Sequence, residues 1–109
     1  MPIEIRHAEA AAVIAISGRL VFGREAERLE AEVGELLKSG QTKFVFDLAA
    51  LEYMDSSGIG TVVACLTQIK KAGAELRVAG ASSRIQRLFA VTGVDKLLSL
   101  YPSVNEATS

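Results

Sequence analysis

The chain has 109 residues, half of them hydrophobic, with 12 basic against 13 acidic side chains and a formal net charge of −1. That length suits one domain, and that apolar share supports a compact core without disulfides or metal. The near-neutral balance argues against direct nucleic-acid binding, no apolar run approaches a membrane span, and the single cysteine, Cys65, excludes an internal disulfide or a multi-cysteine zinc set.

Met1 to Ala12 carries Glu4, Arg6, His7 and Glu9, which is not the make-up of a secretory signal, so a soluble cytoplasmic protein is expected. Ile3 to His7 and Ala12 to Ser17 read as short strands, with Ala8-Glu9-Ala10 turning between them as an antiparallel hairpin. His7, the only histidine, falls on the first strand beside Arg6 and reads as solvated surface. Gly18 ends the second strand. From Glu25 to Lys38, Ala26, Leu29, Val33, Leu36 and Leu37 recur at helical spacing, and Gly40 is the stop signal. Lys43 to Leu48 is compatible with a central buried strand.

A second helix spans Ser57 to Lys71 and stops at Gly73, with Lys70 and Lys71 suited to its negative end. Glu75 to Ala79 is the next strand. Ser83 and Gln86 form a capping-box signal for a third helix to Val91, with Ile85, Leu88 and Phe89 facing inward and Gly93 after it. Leu97 to Tyr101 is a last strand closed by Pro102; Ser103 to Ala107 is a terminal helical turn, and the tail from Asn105 is expected to fray. The expected architecture is one α/β domain over residues 1–109. It is a mixed sheet of about five strands, the first pair antiparallel and the remainder parallel, with three to four packed helices.

The most informative stretch is Asp55-Ser56-Ser57-Gly58, between a strand and an amphipathic helix. A hydroxyl there can be a plain cap, a nucleophile or a phosphorylation switch. At about 100° per residue, Ile59, Val62, Val63, Leu66 and Ile69 cluster on one face. Ser57, Thr61, Ala64 and Gln68 lie opposite, as a solvent-facing stripe of small uncharged residues flanked by Gly58 and Gly60. Ser56 reads as the N-cap. A helix interior disfavours Gly60, so a surface built for a partner is its functional reading.

A phosphate on either serine would add about −1.5 to −2 charge at a helix start that tolerates it. It would also place a dianion beside Asp55, and beside Asp47 and Glu52 if they lie near, repelling an acidic or apolar partner. Catalysis is not expected, because a serine nucleophile needs a base and the sole histidine is on the first strand. The G-x-S-x-G elbow and the glycine-rich phosphate cradles are absent. Asp47, Glu52 and Asp55 are better explained as solvated carboxylates than as cation ligands. No metal site or cofactor is expected.

Phe44 to Gly60, FVFDLAALEYMDSSGIG, resembles the signature of the STAS domain, most closely that of the bacterial anti-sigma factor antagonists. Ile14 to Leu20 and Leu76 to Gly80 resemble flanking strands of the same fold, so the resemblance covers nearly the whole chain. It implies a phosphorylation cycle. A serine kinase that is also the anti-sigma factor modifies the antagonist, a phosphoserine phosphatase reverses the mark, and the unmodified form binds the anti-sigma factor and frees the sigma factor. The serine after the aspartate is the modified one in that family, which is Ser56 here, with Ser57 as the fallback. With the solvent-facing stripe read from helical spacing, Asp55, Gly58, Gly60, Thr61, Ala64 and Gln68 complete the expected partner surface.

Related domains serve stress-signalling complexes, anion transporters and lipid-transport machines. A scaffold subunit of a stressosome-like or transport-associated complex is therefore the alternative, and a weak homodimer is a further association the resemblance admits. The chain departs from the family where an acidic residue commonly follows Gly-x-Leu: Gly18-Arg19-Leu20 is followed by Val21 and Phe22.

Overall fold

The computed structural model describes residues 3–109; Met1 and Pro2, at the start of the expected domain, lie outside them. In chain order the elements are β1 (Ile3–Ala8), β2 (Ala11–Ile16), β3 (Gly18–Leu20), α1 (Arg24–Lys38), β4 (Lys43–Asp47) and β5 (Leu51–Met54). There follow α2 (Ser56–Lys71), β6 (Glu75–Ala79), α3 (Ser83–Thr92), a 3-10 turn (Val94–Lys96), β7 (Ser99–Tyr101) and α4 (Val104–Thr108).

The main sheet has the order β1-β2-β4-β6-β7. β1 and β2 are antiparallel, and β2, β4, β6 and β7 run parallel. The mixed sheet with its antiparallel first pair and four helices is the architecture expected from the sequence. The hairpin closes with Ala8 opposite Ala11. Glu9 and Ala10 between them both have positive φ, 52° and 69°, the signs that let a two-residue turn follow the twist of its strands. Gln41 Nε2 supports this turn by donating to the Ala10 carbonyl at 2.8 Å.

Strand alternation splits the buried residues into two layers. Ile14, Phe44, Phe46 and Val78 point to the face covered by α1, α2 and α3, where Leu29, Val62, Ile69 and Phe89 meet them. Val13, Val45 and Ala79 point to the other face, against Ala107 of α4. The C-terminal tail is not frayed: Arg77 Nη1 donates to the Ala107 carbonyl at 2.9 Å, and Ser103 caps α4 through the Glu106 N–H. A buried apolar side chain and a cap outweigh the entropy that usually frees a terminus.

Two short strands escape the periodicity reading. β3 and β5 pair in parallel as a ribbon outside the main sheet, with Leu20 opposite Met54. β5 alternates irregularly, buried at both ends and exposed at Glu52 and Tyr53, so it has no two-residue period to detect. The last strand is shorter than expected because Val94 to Lys96 take a 3-10 turn first.

Candidate functional site

The ribbon delivers the chain to the start of α2. The N-cap is Asp55, not Ser56: its carboxylate Oδ1 accepts from the Gly58 N–H at 3.0 Å, and Ser56 is already the first helical residue. Aspartate and serine cap about equally well, so identity alone does not choose between neighbours. The same one-residue shift occurs at α3, where Ser82 rather than Ser83 accepts from the Ile85 N–H while Gln86 reaches back to the Ala81 carbonyl.

Gly58 has a packing reason to be glycine. A Cβ there would run into the Leu20 carbonyl oxygen and Met54 Cγ, so the helix start is pressed onto both strands of the ribbon. Gly60 has no such neighbour; a Cβ would point into open space.

The two serines are not equivalent. Ser57 is half-buried and its Oγ donates to Asp55 Oδ1 at 2.6 Å. Ser56 is exposed, and among the described residues its side chain makes no hydrogen bond. The Ser57 hydroxyl, and after it the Gly58 N–H, hold the Asp55 carboxyl below the usual carboxylate range. A depressed carboxylate is a weak base, and the Asp55–Ser57 contact, with the Gly58 N–H on the same oxygen, has the geometry of an anchor for the helix start.

The outer stripe is rotated from its expected place. Thr61 is 7% exposed, with Oγ1 donating to the Ser57 carbonyl at 3.2 Å. Ala64 and Gln68 are half-buried. The cause is α1, which packs along this flank. A Cβ on Gly34 would lie 2.9 Å from Gln68 Nε2, and the Glu30 carboxylate acts on Cys65. The face that is open carries Ser56, Gly60 and Thr67, and ends at Lys70 and Lys71. It is small and uncharged over most of its length, with Ser56 at its head.

Asp47 does not join this site. It shares the sheet face of Val45, lies 3.6 Å from Arg6 Nη2, and accepts from the Ala49 N–H. Glu52 is exposed on β5. Among the described residues no group of three or more His, Cys, Asp or Glu could hold a metal ion. His7 is exposed on β1, at the far edge of the sheet order from β7. Cys65 is fully buried; desolvation, and secondarily the Glu30 carboxylate, push its thiol up to about 12. Among the described residues no helix is long and apolar enough to cross a membrane.

The model of the STAS domain family matches residues 2–107. An anti-sigma-B factor antagonist of Staphylococcus aureus is 35% identical over 80 residues, covering 73% of this chain and 70% of that protein. An anti-sigma F factor antagonist of Paenibacillus polymyxa is 26% identical over 110 residues, covering 99% and 93%. The crystal structure of an anti-sigma factor antagonist from Mycobacterium paratuberculosis superposes with a TM-score of 0.82 at 25% identity, covering 96% of this chain and 88% of that one.

Proposed function

The chain belongs to the STAS domain family, and on that premise we propose that it is an anti-sigma factor antagonist switched by phosphorylation of Ser56. It is a non-catalytic binding module. With Ser56 unmodified it holds an anti-sigma factor that is also a serine kinase, through the open face of α2, and so frees a sigma factor. With a phosphate on Ser56 it lets that partner go, and a phosphoserine phosphatase resets it.

The observation that carries this reading is the asymmetry between the hydroxyls. Ser56 is presented to solvent without an internal partner, whereas Ser57 is tied to Asp55. A phosphate on Ser56 would sit at the positive end of the α2 dipole, so the fold tolerates it. It would also face a partner next to the ionised Asp55, adding a second anion to a face that carries Gly60 and Thr67 before it reaches Lys70 and Lys71. An apolar or acidic partner patch then loses affinity through desolvation and repulsion. The names of the similar proteins support the partner class.

The test is incubation with the cognate kinase and ATP, followed by mass spectrometric mapping. Phosphate on Ser56 is expected. Ser56→Asp should keep its thermal midpoint while binding the kinase roughly tenfold or more weakly by calorimetry. Phosphate confined to Ser57, or none, overturns the assignment.

Phe22 favours one second reading, the scaffold subunit of a larger complex. This residue is 88% exposed in the loop after β3, directly after Val21, and the two apolar residues stand where the resemblance leads one to expect an acid after Gly-x-Leu. Purification from cells separates the readings: a large assembly or transport subunits would replace the kinase as the recovered partner.

A further inference from the structure

We infer that the groove between β5 and α3 is a second docking surface, and that its occupant is an acidic, amphipathic segment of a partner protein. One wall is Tyr53 and Met54; the other is Leu88 and Val91, with Ile85 between them. Only Ile85 and Phe89 of α3 are buried by the body of the protein. Leu88 is half-buried and Val91 is 78% exposed, so the apolar arc of α3 extends past what the fold covers. Tyr53 leaves 40% of its surface open on the opposite wall.

The rim decides the chemistry of the occupant. Arg84 and Arg87 both line the groove, both are exposed, and among the described residues neither makes an ion pair or hydrogen bond. α3 carries no acidic residue. Arg19 adds a third cation by lying over the Tyr53 ring, 5.1 Å from its centroid. Glu52, next to Tyr53, is the nearest acid in sequence on β5. An apolar trough with unpaired guanidinium groups at its lip selects carboxylates flanking apolar anchors. Arg84, Leu88 and Val91 follow one helical stripe over about 10 Å, the length of two turns of a docked helix.

Other occupants fit less well. The C-terminal helix α4 is engaged on the opposite face of the sheet. A second copy meeting this face through a twofold axis would bring its own Arg84 and Arg87 against the same pair. The groove adjoins the α2 start through Met54 but relies on other side chains, so the inference stands without the Ser56 switch.

The experiment titrates the isotopically labelled protein with three probes, read by amide chemical shifts. They are a synthetic helix with Leu at i, i+4 and i+7 flanked by Glu, the same peptide with Lys for Glu, and phosphatidylglycerol vesicles. The Glu peptide should give saturable shifts confined to Tyr53, Met54 and the 83–92 helix, with the Lys peptide roughly tenfold weaker. Arg84→Glu combined with Arg87→Glu should invert that order at an unchanged thermal midpoint, and Ser56→Ala should bind as the parent. No saturation, equal affinity for both peptides, shifts centred elsewhere, loss of binding in Ser56→Ala, or arginine-dependent vesicle binding without a peptide preference would each overturn the proposal.

Discussion

The two flanks of α2 answer to different constraints, although both are built from small residues. The inner flank carries Ser57, Gly58, Thr61 and Cys65. Its residues are small because a strand ribbon and α1 press against them. The outer flank carries Ser56, Gly60 and Thr67, and nothing in the chain presses on it. Smallness on the inner flank is explained by the fold; on the outer flank it is not, and that surplus supports the proposal that a partner docks there.

The sharpest way to break this contrast is the glycine pair. Gly58→Ala should cost about 1–3 kcal/mol, because the methyl group meets the Leu20 backbone, which cannot move aside as a side chain could. Gly60→Ala should instead stabilise by about 0.8–1.0 kcal/mol, since it gains helix propensity and meets no atom. Denaturant midpoints with unchanged slopes read both. Equal effects would mean that the flanks are not distinct.

The serine pair gives a smaller difference in the same sense. Ser57→Ala removes the hydroxyl that Asp55 accepts from, at a cost of about 1 kcal/mol. Ser56→Ala should stay within about 0.5 kcal/mol of the parent. Thermal melts decide, and a reversed order would move the anchoring role to Ser56.

The smallest effect is in acid. The Asp55 carboxyl titrates lower in the folded chain than in the unfolded one. Its contribution is therefore complete above the ordinary carboxylate range and is lost as pH falls through and below it. Asp55→Asn should flatten that part of the stability-against-pH curve, losing most relative to the parent at neutral pH and converging with it in acid. The same acid slope in both proteins would show that the cap carries no linked charge.

The main elements were legible because each has a single dominant period. Leu29 and Val33 mark a helix with one buried face, and the run from Lys43 to Asp47 marks a central strand. The orientation of α2 was not legible for a definite reason. Ile59, Val62, Leu66 and Ile69 do face the sheet, but α1 adds a second buried flank through Thr61 and Cys65, and a periodic reading assumes one. β3 and β5 were missed because a three- or four-residue strand with the pattern of Leu51–Met54 carries no alternation. The Asp55 cap had a signal, an acidic side chain three residues before Gly58, but the adjacent serine offered the same one. The exposure of Phe22, Tyr53 and Val91 depends on tertiary neighbours and had no local trace.

Cys65 sits where α1 and α2 close on each other, with its thiol held at about 12. At neutral pH the thiol stays protonated, and its burial keeps it from an oxidant. The folded protein is therefore expected to stay free of intermolecular disulfide in air without added reductant. A covalent pair seen on a non-reducing gel would count the molecules that had come apart, a built-in gauge of damage that needs no label.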